Sequence, residues 1–347
     1  MGGLRVRITG AAGETVVEVA EGRTVLDGAL RAGAWMPHSC TQGTCGTCKL
    51  TVLQGTVDHG ASPEYTLGPE ERAQGMALAC KAVPESDLVV RMAGSPPRDG
   101  VFPIPLADHA GTVVELTDIA TDTRRLVVEL DGPMRFHAGQ YAELVVPHSG
   151  EGRQYSMANP PDEDRRLEFH VKRQPGGAAT DGWLFRTAAA GDRLSLRGPL
   201  GQFSLAERQE EPAILIGGGT GLAPLKSIVR HALAHDLLPT MHLYHGGRRR
   251  ADLYDVDFFR ELEAQNPHFH YHQVLSEDGW DGRTGLVTDA VIADFPTCRG
   301  MSAYVCGPPA MVEAAVKGLK RRRMAPRLIF REEFTPRDGA ATTGSVS

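Results

Sequence analysis

Four cysteines constrain this chain more than any other feature. Cys40, Cys45, Cys48 and Cys80 stand in the spacing C-x4-C-x2-C-x31-C. Their thiols can meet at one point only if a tight loop supplies the first three and a distant segment folds back with the fourth. The spacing is that of plant-type [2Fe–2S] ligands. Two irons bridged by two sulfides need four thiolates, and Gly43 and Gly46 let the loop backbone close around such a core, so that its N–H groups reach the sulfurs. Zinc usually asks for two C-x2–4-C pairs, and the second pair is missing here. A redox C-x-x-C at Cys45 and Cys48 would need a βαβ setting and would leave Cys40 and Cys80 idle. A Rieske centre needs histidines after its cysteines, whereas His38 precedes Cys40, so His38 is expected to be structural or solvent-facing.

Composition sets the remaining bounds. A chain of 347 residues suggests roughly two to three domains. Six cysteines, four of them crowded between 40 and 80, favour ligation over disulfides and a reducing, cytoplasmic setting. The net charge of −6 and pI of about 6.1 argue against nucleic acid, whose binders usually carry a basic stripe. The basic run Lys320-Arg321-Arg322-Arg323 ends a helix-like segment, where the helix dipole favours cations. No run approaches the roughly eighteen apolar residues of a membrane span, and residues 4–8 alternate like a strand rather than forming a signal core. No membrane insertion is therefore expected.

Two composition breaks divide the chain. Gly94-Ser95-Pro96-Pro97-Arg98-Asp99-Gly100 is too rich in glycine and proline for helix or strand. A charged stretch at 206–211 separates a strand expected at 202–205 from the apolar run Ala213-Ile214-Leu215-Ile216. The expected units are a domain at 1–93, a linker at 94–104, domains at 105–207 and 208–335, and a flexible tail at 336–347. The first unit shows strands at 4–8, 15–19, 49–53 and 88–91, and a helix at 25–32 capped by Thr24. The second shows short strands at 111–116, 125–130, 141–146, 167–171 and 193–197 between turn signals, which suggests an antiparallel barrel. The third alternates strands at 213–216, 240–244, 270–275 and 302–305 with helices from Leu222, at 257–264 and from Pro309. Such alternation implies a doubly wound parallel sheet. The fold class is thus multidomain: α+β, then β-barrel, then α/β.

Two further sites suit cofactors. Arg153-Gln154-Tyr155-Ser156, preceded by Gly139-Gln140-Tyr141, offers a guanidinium for phosphate, a ring to stack on an isoalloxazine and a hydroxyl for its edge. Downstream, Gly176 and Gly177 lead through Thr180 into a helix expected at 181–186, a setting for a pyrophosphate. In the third unit Gly217, Gly218, Gly219, Thr220 and Gly221 join a buried strand to a helix start. They do not fit G-x-G-x-x-G, but glycines still let a pyrophosphate approach backbone N–H groups. Cys306, Gly307 and Pro308 end another strand at the carboxyl edge of the sheet, where such folds bind ligands, while Cys298 has no such setting.

These motifs carry a resemblance. Residues 1–93 resemble a plant-type ferredoxin domain, a β-grasp fold with one cluster. Gly-Gln-Tyr, R-x-Y-S, a strand and Gly-Gly-x-x-Thr, in that order, resemble the FAD domain of the ferredoxin–NADP reductase superfamily. That resemblance implies that Arg153 and Thr180 bind FAD phosphates, that Tyr155 and Ser156 contact the flavin ring beside Gln154, and that His170, Val171 and Lys172 line the cofactor's remaining length. It places Cys306 beside the nicotinamide and Phe334 over the flavin. Glu332, with Glu333 as the alternative, would assist hydrogen bonding with Ser156, so the catalytic set is Ser156, Cys306, Glu332 and Phe334. Arg248, Arg249 and Arg250 could take a 2′-phosphate, yet Gly-x-Arg at Arg248 followed by Asp252-Leu253-Tyr254 looks like NADH-using oxygenase reductases, so NADH is expected over NADPH.

The whole order, over residues 1 to about 335, resembles the reductase components of multicomponent bacterial oxygenases, with phenol- or alkane-type di-iron systems nearest and dioxygenases open. Nicotinamide gives two electrons together and a cluster takes one, so a flavin belongs between them. The expected path runs from NADH through FAD and the cluster to a separate oxygenase or hydroxylase. A reductase for another acceptor, such as a deoxysugar dehydrase, and a redox-sensing module are the alternatives.

Overall fold

Alternation in the first residues becomes a hairpin of Leu4–Gly10 and Gly13–Val19, paired Val6 to Val17, with Val6, Ile8, Val17 and Val19 turned inward. The coordinates are a computed structural model describing residues 2–11, 13–94, 103–147, 149–277 and 279–335. Leu88–Met92 lies parallel to the first strand, and Lys49–Gln54 and Met76–Leu78 complete a five-stranded sheet. Helix Val25–Arg31 crosses it, with the Thr24 hydroxyl accepting the Asp27 N–H at 3.2 Å. Gly28 lets that helix approach, since a Cβ there would sit 2.5 Å from Val19. A parallel pair within an otherwise antiparallel sheet, crossed by one helix, is the β-grasp arrangement expected.

The second sheet is antiparallel and runs in the order Gly152–Ser156, Tyr141–Val145, Arg193–Leu200, Ala107–Ala120, Thr123–Leu130, Arg166–Lys172. Register shifts between Val113 and Glu115, and between Asp118 and Ala120, bend the long third-from-last strand. A bridge from Met157 to Phe169 brings the two ends together, so the sheet curls into a barrel. Val113, Leu126, Leu144 and Phe169 fill it with no exposed surface, each contributing about 1.5–3 kcal/mol by burial.

The third sheet is wholly parallel: Arg283–Thr284, Phe269–Leu275, Met241–Gly247, Ala213–Gly218, Ser302–Gly307, Ile329–Glu333. Strand order reverses at Ala213–Gly218, which has Met241–Gly247 on one side and Ser302–Gly307 on the other. Ligands bind open α/β sheets at such a switch point, just beyond the strand ends. The glycine run 217–221 begins there, before helix Leu222–His235.

Several expectations need correction. The strand expected at 202–205 is a single bridge, Leu205 to Ala138, and the barrel strand before it is Arg193–Leu200. The helix expected at 181–186 is one wide turn, Thr180–Leu184, closed by Leu184 N–H to Ala179 O and Phe185 N–H to Thr180 O. A sixth barrel strand, Gly152–Ser156, carries the R-x-Y-S motif itself. Helix Val287–Asp294 and edge strand Ile329–Glu333 were not expected: the first is short, and the charged Arg331–Glu333 segment hides the second. Linker residues 95–102 and tail residues 336–347 lie outside the described residues. Among the described residues, no helix is long and apolar enough to cross a membrane.

Candidate active site

One cavity of about 340 Å³ opens where the three sheets meet. The barrel supplies Arg153, Gln154, Tyr155 and Ser156 from one strand and His170 and Lys172 from another, with Gly177 and Thr180 beside them. The parallel sheet supplies Gly218, Gly219, Thr220, Pro308, Glu332 and Phe334, and the cluster loop contributes Ser39, Cys40 and Gln42. Val171 is absent from this lining because strand alternation turns it into the barrel core.

The strand Gly152–Ser156 pairs with Tyr141–Val145, Ser156 opposite Tyr141, which sets its four motif residues along the cavity wall. Arg153 is steadied by Glu151 at 2.7 Å. Burial pushes the Tyr155 phenol well above its ordinary value, keeping the ring neutral. Ser156 Oγ donates to Glu332 Oε2 at 3.4 Å. Burial raises the Glu332 carboxyl to about 8, with the Ser156 hydrogen bond opposing. The Thr180 hydroxyl is taken up by Gln174, accepting its N–H and donating to its carbonyl, both at 3.0 Å. His170 Nε2 meets Glu168 at 2.8 Å and its Nδ1 meets the Tyr254 hydroxyl at 3.2 Å, so only its carbon edge faces the cavity.

On the nucleotide side, Gly217 and Gly221 close the turn from below. A Cβ on Gly221 would lie 2.2 Å from the Cys306 carbonyl. Cys306 is fully buried under the cavity floor, and burial, aided by Glu332, raises its thiol well above the ordinary value. Gly307, at φ +152, accepts the Phe334 N–H at 2.9 Å, which seats Phe334 in the cavity lining. Arg248 stands apart from the cavity on an exposed loop, near Glu277.

The four cysteines converge. The Cys45 N–H points at Cys40 Sγ at 3.4 Å, and the Thr47 N–H at Cys45 Sγ at 3.5 Å. The sulfurs of Cys48 and Cys80 lie 3.2 Å apart. Cys40 and Cys45 thus form one close pair and Cys48 and Cys80 a second. Gly43 at φ +90 and Gly46 at φ +71 give the loop its closed course. Four thiols and inward N–H groups fit a [2Fe–2S] core. His38 is structural: its Nδ1 meets Met36 O and its Nε2 accepts the Gly201 N–H at 3.1 Å, tying this unit to the barrel.

Two contacts were invisible in the motifs. Gln154 Nε2 donates to Cys40 O and to Thr41 Oγ1, so the flavin strand touches a cluster ligand's own backbone. The Tyr141 hydroxyl donates to Ser39 O at 2.6 Å. Only pairing across a hundred residues creates them, and no local spacing announces it.

Comparison with known proteins agrees with this geometry. Residues 8–85 match the 2Fe-2S iron-sulfur cluster binding domain, 110–205 the oxidoreductase FAD-binding domain and 215–317 the oxidoreductase NAD-binding domain. An aromatic O-demethylase reductase subunit of Amycolatopsis sp. is 55% identical, covering 92% of this chain and 96% of its own. The reductase component of a Pseudomonas phenol 2-monooxygenase is 40% identical over 94% and 93% of the two chains. The chain belongs to the reductase components of multicomponent oxygenases. The crystal structure of an Amycolatopsis cytochrome P450 reductase superimposes on this reductase with a TM-score of 0.88 at 53% identity, covering 95% of this chain and 99% of that one. The reductase therefore carries FAD, a nicotinamide nucleotide and a [2Fe–2S] cluster, and serves a separate oxygenase component.

Proposed function

We propose that this reductase uses NADH rather than NADPH and feeds a terminal oxygenase that acts on an aromatic substrate of the methoxy-arene kind. The observation that carries the electron path is the single cavity lined jointly by the cluster loop, the R-x-Y-S strand and the glycine turn. The aromatic O-demethylase relative, at 55% identity, supports the acceptor. The Gly246-Gly247-Arg248 run followed by Asp252-Leu253-Tyr254, which resembles NADH-using oxygenase reductases, supports NADH.

In this reading Cys40, Cys45, Cys48 and Cys80 hold the cluster. Arg153 and the 176–180 turn hold FAD phosphates, while Tyr155 and Ser156 face the ring. Gly218, Gly219 and Thr220 offer backbone to the dinucleotide. Bound FAD accepts a two-electron hydride and releases single electrons. Around it, Tyr155 excludes water, Glu332 and Ser156 hold a proton at the ring edge, and Phe334 occupies the nicotinamide's place until NADH displaces it. The functional units follow the divisions 1–93, 105–207 and 208–335, and the thiolates fit a reducing cytoplasm.

Anaerobic titration tests this directly. NADH is expected to bleach both flavin and cluster absorbance at stoichiometric amounts, with NADPH needing a large excess. Bleaching by neither nucleotide, in protein carrying both cofactors, would sink the reading.

A further inference from the structure

Tyr254 closes the Asp252-Leu253-Tyr254 run, which in sequence serves only as a marker of nucleotide preference. Its place in the fold gives it a different task. The ring is 3% exposed, and its hydroxyl lies 3.1 Å from the Gly219 carbonyl and 3.2 Å from His170 Nδ1. Gly219 belongs to the dinucleotide turn, and His170 to the barrel strand that lines the flavin side of the same cavity. One hydroxyl thus joins the two facing walls.

A charge array fixes that hydroxyl from behind. Glu168 accepts from His170 at 2.8 Å and from Lys226 Nζ at 2.8 Å. Lys226 reaches Asp255 at 2.6 Å, and Asp255 pairs with Arg125. Glu168, His170 and Asp255 have a metal-like grouping, but the Lys226 ammonium already supplies their cation. Asp255 takes φ +53 and ψ +23, a left-handed backbone that a non-glycine residue keeps only when its surroundings impose it. Here Lys226 and Arg125 impose it, and Tyr254 is the preceding residue.

Proton placement makes the tie specific. Burial disfavours ionised Glu168, but His170 and Lys226 outweigh it and hold the carboxyl well below its ordinary value. Burial pushes the His170 imidazole below its ordinary value, and its Nε2 faces Glu168 at 2.8 Å. The Tyr254 O–H donates to the Gly219 carbonyl, and the same oxygen lies 3.2 Å from His170 Nδ1 on the other wall.

We propose that Tyr254 is a positioning residue for hydride transfer, holding the Gly219 turn in register with the flavin strand through His170. The inference rests on the cavity being the joint FAD and nicotinamide site. Hydride transfer is steep in distance, and a misplacement of about 1 Å can cost about a hundredfold in rate.

Tyr254→Phe removes only the hydroxyl and is tested in the cofactor-loaded protein by anaerobic stopped-flow with NADH and with NADH deuterated at C4. The limiting rate of flavin bleaching is expected to fall about tenfold with an altered isotope effect, while the apparent NADH Kd moves less than about threefold and FAD content is unchanged. A wild-type limiting rate and isotope effect in the variant would overturn the proposal. So would a rate loss that disappears when excess FAD is added, because the hydroxyl would then serve only to retain flavin. Failure of the wild-type protein itself to bleach with NADH would instead remove the underlying site assignment.

Discussion

The barrel meets its two neighbours through seams that differ in how deeply their cations are buried. Toward the cluster unit, neutral hydrogen bonds (Tyr141 to Ser39 O, Gln154 to Cys40 O, Gln202 to Met36 O, and the Gly201 N–H to His38) accompany ion pairs of partly exposed arginines, Arg197 with buried Asp27 and Arg31 with exposed Asp108. Toward the nucleotide unit, side-chain charges are taken out of water, with Lys226 between Glu168 and Asp255, and Arg125 behind them. Losing one neutral hydrogen bond costs about 1 kcal/mol. Losing one member of a buried ion array costs several, because the remaining charge stays buried. The hydride seam, whose Lys226 cation is itself buried, should therefore be the more sensitive to a single loss.

The sharpest way to break this contrast is Lys226→Met. With the ammonium gone, Glu168 and Asp255 keep too few cations, and the protein is expected to lose about 3–5 kcal/mol in urea unfolding. A loss below about 1 kcal/mol would erase the distinction between seams. The array also predicts a pH response. Since folding lowers the Glu168 carboxyl beneath its ordinary 4.5, its stabilisation is complete above that pH and declines as pH falls further. Acid unfolding of the wild type should show this decline, and Lys226→Met should show less of it.

Glu332 supplies the intermediate case, a buried carboxyl that meets Ser156 rather than a cation. Its folded value near 8 lies above the ordinary 4.5, so the sign is reversed: stability is full below pH 4.5 and falls as pH rises toward 8. In flavin-free protein Glu332→Gln should gain up to about 3 kcal/mol at pH 7 and almost nothing at pH 4. Equal gains at both pH values would show that Glu332 is already ionised at neutrality.

The smallest effect belongs to the electron seam. Gln154→Ala is expected to slow flavin-to-cluster transfer about threefold, seen as a lag between the two absorbance decays after rapid mixing with NADH, and to change flavin reduction less. A loss of about 3–5 kcal/mol in urea unfolding, as for Lys226→Met, would mean that the two seams are equally sensitive to a single loss.

Legibility from sequence followed the range of the interactions. The four cysteines and the glycine turn 217–221 are local patterns imposed by chemistry, and both stood out. The R-x-Y-S motif was found, but its strand was not, because Gly152–Ser156 is polar and half-buried at a cavity edge rather than alternating. Thr180 was read as a phosphate-binding residue at a helix start, and its hydroxyl bonds Gln174 across a wide turn that no motif announced. Tyr254 was noticed as part of a marker, while its partners lie 35 and 84 residues away and no periodicity points to them. Val171 was misplaced for a simpler reason: three consecutive strand residues cannot all face one side.

The shared cavity has a consequence for how the molecule comes apart. Arg153 and Gly218 belong to two separate sheets and Ser39 to the cluster loop of the unit built on a third, yet all three touch one space of about 340 Å³. An occupant of that space acts as a keystone, bound only when every sheet is folded and adding its binding free energy to all of them at once. At a thousandfold excess over its Kd this amounts to about 4 kcal/mol. Loaded protein should therefore melt as one cooperative body, whereas stripped protein should come apart sheet by sheet.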